Sequence, residues 1–387
     1  ALAPRAGRFV DEDIAIAHGQ LFLNALTSQN TEVQRAASAF DGGNSIGLPV
    51  TLLAGVVFAA AKDILAVHFA MGIWFYFFIF SVLFFADALF CTFFDIRTQN
   101  SVAWARRLFV FGTACFVQAL PNGYINQAFA LSEFPGGACI LFGLGFGLRR
   151  QFRLAQLFFG LAPVFKIYYV LFIPIGILIE ALLGQKSLVG IFKAIAVVLF
   201  PSLVLQLVKV VAFGTAHYFA GWSTYSGMLV GQSGLSHSTL VGINEFPNYS
   251  WRTQAYWYIG SYGPLLIALL LSCFKKLRLQ FKYQLLFLWV FSLCVFTGAF
   301  HWQYMAIYKW WRRAYPFFIP GYALTISLSL LLVLHFLHRP KFKQLRLPGL
   351  ILILLLSLYV QVRQTIVGVI QNNAVIGMTE RKTWKAP

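Results

Sequence analysis

Residues 64–94 read ILAVHFAMGIWFYFFIFSVLFFADALFCTFF, a stretch in which almost every side chain is apolar. An apolar run of about 20 residues is long enough to cross a bilayer as a helix. Because backbone N–H and C=O groups in lipid need internal partners, such a run is predicted to be helical. Similar runs recur along a chain that is 59% hydrophobic and 11% charged, without the alternation of outer-membrane strands. The sequence therefore predicts an all-α fold, a polytopic transmembrane helical bundle.

The placement of the basic residues and of the cysteines argues against a nucleic-acid-binding protein, a disulfide-rich protein and a protein with a cysteine metal site. The chain carries 30 Lys+Arg against 12 Asp+Glu, but the basic residues cluster beside apolar runs. That placement is typical of the positive-inside bias and of anionic lipid head groups, so no nucleic acid partner is expected. The five cysteines lie in apolar segments without ligand spacing, which argues against a disulfide framework or a cysteine metal site.

The dense basic clusters predict which loops share a membrane face. Three of them, within 149–153, 275–282 and 339–346, are flanked by apolar runs and are expected in the cytoplasm. The outer face then holds the segments 121–133, 214–261 and 301–315. The predicted organisation is an outer juxtamembrane acidic region (1–45), a transmembrane bundle (46–370) that includes outer loop 214–261, and a polar C-terminal tail (371–387).

The N-terminal region is predicted to contain amphipathic juxtamembrane helices. Apolar residues recur at helical spacing from Ile14 to Leu26, and a second such piece runs from Thr31 to Phe40. The apolar piece that starts at Gly47 is expected to be a shallow re-entrant helix. No membrane span precedes Asp11, so we expect that an upstream helix or a cleaved signal sequence is missing from this chain.

The triplet Asp11-Glu12-Asp13 contributes three of the 12 acidic residues and precedes the surface helices. One interpretation is a hydrated acidic patch, which also suits a helix N-terminus. The other is a catalytic site, in which one carboxylate acts as general base and another orients the acceptor or binds a divalent cation. The metal requirement stays open at this point.

The cluster Lys309-Trp310-Trp311-Arg312-Arg313 lies on the predicted outer face, against the positive-inside bias. It is either an interfacial belt or an anion site, because arginine forks bind phosphate oxygens bidentately and lysine adds a point charge. A polyprenyl phosphate would place its phosphate at this depth.

The run 154–183 begins and ends at basic positions, so it is predicted to go out and come back. Lys166 lies near its middle between Pro163 and Pro174, and is expected part-way down an open cavity. An intramembrane lysine indicates function by default, with snorkelling to the interface as the alternative. Tyr168 could bind sugar or phosphate. Glu133, at the outer end of the run 134–148, is expected to cap that helix first and to serve a site second.

Four motifs, in this order along most of the chain, are similar to those of the GT-C superfamily of polytopic glycosyltransferases. That superfamily includes the protein O-mannosyltransferases and the lipid A aminoarabinose transferases. The motifs are the acidic triplet before surface helices, the proline-started helix at 47–53, Gly160-Leu-Ala-Pro-Val-Phe-Lys166, and Arg312-Arg313-Ala-Tyr315-Pro316. The family has a transmembrane helix before its acidic loop, which agrees with the expectation that an upstream helix is missing from this sequence.

The resemblance implies transfer of a sugar from a polyprenyl-phosphate donor to a glycan, lipid or protein acceptor. The protein would be integral to a membrane, such as the bacterial inner membrane, with its active site on the extracytoplasmic face. Carried over to this sequence, the resemblance implies Asp11 or Asp13 as the base and Lys166, Arg312 and Arg313 as phosphate-binding residues. The residues themselves add Glu12 to the catalytic carboxylates and Lys309 to the phosphate-binding group. The predicted substrate-binding residues are Tyr168, Tyr315, His237, Arg252 and Glu133.

Three other functions remain open. An O-antigen-type polymerase or ligase would place its chemistry in the large outer loop 214–261, with His237 and Arg252. A transporter for lipid-linked sugar would have internal repeats and paired broken helices; two short helices are present, but no repeat is detectable. A non-catalytic subunit of a membrane complex would have no need of clustered outer charges.

Overall fold

The structure is a computed structural model that describes residues 10–28, 30–43, 47–94, 100–118, 132–184, 187–223, 251–273, 279–304 and 315–381. The secondary structure within these ranges is helical. The α-helices are α1 (Val10–Ser28), α2 (Thr31–Gly43), α3 (Leu48–Ala61), α4 (Ile64–Met71), α5 (Ile73–Phe93), α6 (Asn100–Val117), α7 (Glu133–Leu148), α8 (Phe152–Phe165), α9 (Ile173–Leu183), α10 (Leu188–Phe213), α11 (Trp251–Ser272), α12 (Phe281–Tyr304), α13 (Tyr315–Leu337) and α14 (Arg346–Arg381). Short 3-10 helices cover Ile167–Phe172 and Pro340–Leu345, and residues 215–223 are also helical.

Within the part of the chain that the structure describes, four helical segments are long and apolar enough to cross a membrane. They are Ile73–Phe93, Leu188–Phe213, Ile319–Leu337 and Pro340–Ile366. The second and fourth are mostly unburied, with 17% and 11% of their apolar windows inside the protein. Long apolar helices that stay exposed are typical of lipid-facing spans. The all-α prediction is therefore confirmed, and the four segments indicate a membrane protein.

The bundle is built around α7, in which every residue except Phe146 is buried. Its sequence EFPGGACILFGLGFGL is apolar on all sides and rich in glycine, which lets neighbouring helices approach closely. Helix α5 runs beside it in the same direction: Phe75 packs on Phe134 with ring centroids 5.9 Å apart, and Phe84 packs on Phe146 at 4.6 Å. We call the two ends of the bundle the Glu133 end and the Arg149 end, after the residues at the two ends of α7.

Helices α8 and α9 form a hairpin against α7. Phe159 of α8 packs on Gly143, Tyr169 at the tip packs on Gly136, and Ile179 of α9 packs on Gly147. The chain therefore runs to the Glu133 end and returns to the Arg149 end, as the sequence predicted for 154–183. The tip of the hairpin carries Lys166.

The charge-based grouping of segments agrees with the two ends of the bundle. Ile319, in the second turn of α13, packs on Gly137 at the Glu133 end. The far end of α13 lies at the Arg149 end, where His338 packs on Phe94 with ring centroids 5.7 Å apart. The basic segment that follows, Pro340–Leu345, consists of residues that are all at least partly exposed. The two basic regions that the structure describes therefore lie at the end opposite Glu133.

Helices α1, α2 and α3 form a surface layer. Gly19 of α1 lies directly against the backbone of Thr51 in α3, and a Cβ at Gly19 would overlap the Thr51 carbonyl oxygen. We define the layer cluster as Ala15, Ile16, Val50, Ala54, Val67 and Met71 with the residues packed against them. A second apolar cluster joins Phe22 and Leu48 to Phe213, at the end of α10. The layer is thus held by apolar contacts at two places.

Three boundaries differ from those expected. Helix α11 begins at Trp251, so the outer loop predicted at 214–261 is partly helical and Arg252 lies in a helix. Helix α14 continues to Arg381, although a polar tail was expected from 371. Polar residues such as Gln371 extend a helix where no proline interrupts it. The layer helices were expected at 14–26 and 31–40, and extend beyond both ranges.

Candidate functional site

Lys166 lies between α8 and the 3-10 helix Ile167–Phe172, at the tip of the hairpin. Its backbone is extended, with φ −153° and ψ 122°, and its N–H closes α8 by donating to the Ala162 carbonyl at 3.2 Å. Pro163 has no N–H to continue the helical ladder, which favours an end to α8 close to this point. The Lys166 residue is only 5% exposed. The sequence therefore turns the chain at Lys166 and places its side chain inside the protein.

The Lys166 ammonium forms an ion pair with the Glu133 carboxylate. Glu133 is 2% exposed. The Tyr169 hydroxyl donates a hydrogen bond to the Glu133 carbonyl oxygen at 2.7 Å, and the Lys166 Nζ lies 5.9 Å from the Tyr168 ring centroid. Gly136 makes room for this arrangement, because a Cβ there would overlap the Tyr169 ring. The tip of the hairpin is thus joined to the first turn of α7 by one ion pair and one hydrogen bond.

The expectation for Lys166 was wrong, because its side chain is buried against Glu133 and does not lie in an open cavity. Glu133 lies in the first turn of α7, and its carboxylate pairs with the Lys166 ammonium. A charge that is buried to this degree requires a partner, and Lys166 provides it. Tyr168 is half-buried beside Lys166, while Tyr169 makes the hydrogen bond.

The acidic triplet and Lys166 are each adjacent in sequence to residues of the layer cluster. Asp11, Glu12 and Asp13 form the start of α1, immediately before the cluster members Ala15 and Ile16. Phe165, the residue before Lys166, packs against the same cluster and meets Trp74 with ring centroids 5.2 Å apart. The backbone of Gly47 also lies directly against Phe165. The structure therefore brings three of the four motifs of the resemblance to one end of the bundle.

The remaining predicted site residues lie wholly or partly outside the described residues. Lys309, Arg312, Arg313 and His237 are outside the described ranges. For Asp11, Glu12, Asp13, Arg252 and Tyr315 the structure describes the backbone but not the side chain. Tyr315 begins α13, whose second turn contacts α7 beside Glu133. The roles assigned to these residues stay predictions.

A second polar cluster, which was not predicted from the sequence, lies in the surface layer. Asp41 of α2 lies 3.4 Å from the His18 Nε2 and 2.7 Å from the Lys209 Nζ of α10. Burial lowers the pKa of His18 to about 4, the Asp41 carboxylate opposes that shift, and the Lys209 ammonium adds to it. His18 was detectable in the sequence, because it lies four residues after Ile14 on the apolar face of α1.

Acidic side chains at the Arg149 end hold arginines in place. Asp87 accepts hydrogen bonds from Arg106 at 2.5 Å and from Arg149 at 2.7 Å. Glu180 of α9 lies 3.4 Å from Arg153 of α8, which joins the two arms of the hairpin at its base. These pairs stabilise helix ends and lie at the end of the bundle opposite Lys166.

Comparisons with known proteins give no relative. No protein family matches the chain, and no curated protein or solved structure is similar to it. Among the side chains that the structure describes, no three His, Cys, Asp or Glu groups come together as metal ligands would.

Proposed function

We propose that this chain is a membrane glycosyltransferase that moves a sugar from a polyprenyl-phosphate donor to an acceptor on the extracytoplasmic face. The observation that supports this most directly is the position of Lys166. It is a buried lysine at the tip of a short-armed hairpin, next to the layer of helices that begins with the acidic triplet. A lysine at such a depth is costly, and its usual role is in a functional site.

The donor phosphate is bound by positive charge at the Glu133 end. Lys166 supplies an ammonium, and Arg312 and Arg313, with Lys309, supply further charge from the segment before α13. Guanidinium groups bind phosphate oxygens bidentately, so they hold the leaving group in a fixed orientation. The polyprenyl tail lies among the apolar helices, with Tyr168 and Tyr315 beside the sugar and Glu133, His237 and Arg252 as further contacts.

The acceptor is activated by a carboxylate of the acidic triplet. Asp11 or Asp13 removes the proton from the acceptor hydroxyl as this attacks the sugar carbon bonded to the donor phosphate. The polyprenyl phosphate leaves with the bonding electrons. Glu12 or the second aspartate orients the acceptor or binds a divalent cation. The layer cluster contains Ala15 and Ile16 and contacts Phe165, which supports a location of base and phosphate at the same end of the bundle.

The separation of charge between the two ends supports the orientation. The basic regions at the Arg149 end face the cytoplasm in this proposal, and the Glu133 end faces outward. The surface layer α1–α3 then lies at the outer boundary of the membrane, above a polytopic bundle in a membrane such as the bacterial inner membrane.

The test is a transfer assay on the purified protein in detergent, with radiolabelled polyprenyl-phosphate sugars and a panel of glycan, lipid and peptide acceptors. We expect Asp11→Asn or Asp13→Asn to lower the rate about 10²- to 10⁴-fold, the contribution of a general base. Glu32→Gln is the matched control, because Glu32 is an exposed acid in the first turn of α2 in the same layer.

Donor binding separates a catalytic role from a folding defect. The aspartate variants should bind a farnesyl-phosphate sugar as the wild type does, while Lys166→Met should bind it more weakly. Full activity of Asp11→Asn, Asp13→Asn and the double variant would refute the assignment of the base. Movement of labelled lipid across a vesicle membrane without transfer would favour the transporter instead.

A further inference from the structure

The N-terminus of α7 has the features of an anion site. Ser132 precedes the helix and is fully buried, yet its hydroxyl has no hydrogen-bond partner among the residues that the structure describes. The hydroxyl does not cap the helix. The first N–H groups of any helix have no acceptor within it, and here they belong to Glu133 and Phe134. A buried hydroxyl donor therefore lies next to the first backbone donors of the helix.

Positive charge is already present at this point. The Lys166 ammonium lies against the first turn of α7, where it forms an ion pair with Glu133. The helix dipole adds to this, because the N-terminal end of a helix favours a negative group. The negative group in this structure is the Glu133 carboxylate, which comes from the protein itself.

We propose that the Glu133 carboxylate occupies the place of the donor phosphate and leaves when the donor binds. The phosphate then accepts hydrogen bonds from Ser132 and from the N-terminal N–H groups of α7, and pairs with Lys166. The inference rests on the proposed function in taking the anion to be a lipid-linked phosphate. Ser132 and Glu133 become specificity-determining residues, because only a ligand with a strong anion competes with an internal carboxylate.

The exchange preserves the charge of the site. When a carboxylate loses its ammonium partner in apolar surroundings, its ionised form becomes unfavourable. Glu133 therefore takes up a proton from the solvent and becomes neutral. The site then holds one ammonium and one phosphate charge, while Glu133 is neutral. The Tyr169 hydroxyl stays bonded to the Glu133 carbonyl oxygen, so the backbone of the first turn is held while the side chain moves.

Protonation of Glu133 is measurable in the wild-type protein. Dicyclohexylcarbodiimide reacts with protonated carboxyl groups in apolar surroundings, and mass spectrometry locates the adduct. We expect little adduct at Glu133 without ligand and at least a fivefold increase with farnesyl phosphate. Glu180, half-buried and paired with Arg153 at the other end of the hairpin, is the internal control and should not respond.

Two further ligands identify the anion. Farnesol has the same chain without the phosphate and should leave the labelling of Glu133 unchanged. An equal response to farnesol would overturn the exchange. A response to inorganic phosphate at the same concentration would assign the site to the free anion and overturn the lipid-linked donor as its occupant.

Binding measurements on variants give an independent test. Glu133→Gln removes the competing anion and should bind farnesyl phosphate at least tenfold more tightly, whereas Ser132→Ala should bind it several-fold more weakly. Glu180→Gln is the matched control and should bind like the wild type. Unchanged or weaker binding by a folded Glu133→Gln would refute the exchange. If that variant does not fold, the labelling of the wild type decides the question.

The outcomes separate this inference from the proposed function. Binding and labelling that respond to farnesyl phosphate, without any sugar transfer, would support the exchange and refute the glycosyltransferase. Sugar transfer by a protein whose Glu133 never becomes reactive would support the glycosyltransferase and refute the exchange.

Discussion

Replacing Lys166 and Glu133 singly and together measures how far the hairpin depends on their ion pair. Lys166→Met keeps most of the side-chain volume but leaves the Glu133 carboxylate buried without its ammonium. Both residues are nearly inaccessible, at 5% and 2% exposure, so solvent gives little compensation. Breaking a buried pair in this way costs about 3 kcal/mol or more, whereas replacing both partners by neutral groups is often close to neutral. We therefore expect a coupling energy of about 3 kcal/mol between the two positions.

The cysteines of the chain provide the assay. Cys139 and Cys294 are buried in the bundle, at 1% and 0% exposure, and react with a thiol-sensitive dye only on unfolding. The exposed Cys273 and the partly exposed Cys91 are first replaced by serine to remove the background signal. A loss of about 3 kcal/mol should lower the apparent Tm of Lys166→Met by about 4 °C. The double variant Lys166→Met/Glu133→Gln should recover most of this loss.

The pair Arg153 and Glu180 is the control for the same cycle. Its side chains are 46% and 22% exposed, so solvent screens the interaction and the coupling should stay below about 1 kcal/mol. Equal coupling in the two cycles would contradict the argument from burial. Additive effects of Lys166→Met and Glu133→Gln would show that the ion pair does not stabilise the hairpin, and would refute the reasoning.

Three more predictions concern the surface layer and the orientation. The pKa of His18 falls from 6.5 unfolded to about 4 folded, so stability should be full above pH 6.5 and decline toward pH 4. In wild-type thermal melts the free energy of unfolding should be about 2 kcal/mol lower at pH 5 than at pH 7, and this difference should be absent in His18→Gln. Gly19→Leu should lower the free energy of unfolding by about 3 kcal/mol and remove most of the transfer activity, because the new side chain overlaps the Thr51 carbonyl. Retained stability in thermal melts would contradict the close packing of α1 on α3. In a cysteine-free background, Ser28→Cys should react with an impermeant maleimide outside the cell and Gln151→Cys only after lysis; the reverse pattern would invert the orientation.

The helices and turns that depend on the local sequence were predictable. The 16 residues of α7 begin one residue before the predicted run 134–148, because the run is bounded by polar residues on both sides. The turn at Lys166 was also predictable, since basic residues at both ends of 154–183 require an even number of crossings. These features depend on composition and spacing along the chain.

Pairings between distant residues were not predictable in the same way. Glu133 and Lys166 are 33 positions apart, and nothing local shows that α7 and the hairpin tip meet. The contact depends on Gly136, which admits the Tyr169 ring, and this requires the packed structure. The cluster of His18, Asp41 and Lys209 was missed because its members belong to three helices, α1, α2 and α10, whose contact the sequence does not show. The helix around Arg252 was not predicted, because the aromatic residues near it suit a loop and a helix equally.

The short arms of the α8–α9 hairpin have a consequence for how the protein is made. Helix α8 has 14 residues and α9 has 11, which gives about 21 Å and 16 Å, against a hydrocarbon thickness of about 30 Å. Neither arm is long enough to enter the bilayer as an independent span. The arms emerge from the ribosome after α7, which receives one face of the hairpin, and before α10, whose Val198 covers the other face at Gly160. Insertion of the hairpin therefore waits for α10, and a nascent chain stopped before residue 198 should keep the hairpin open to proteases and quality-control factors.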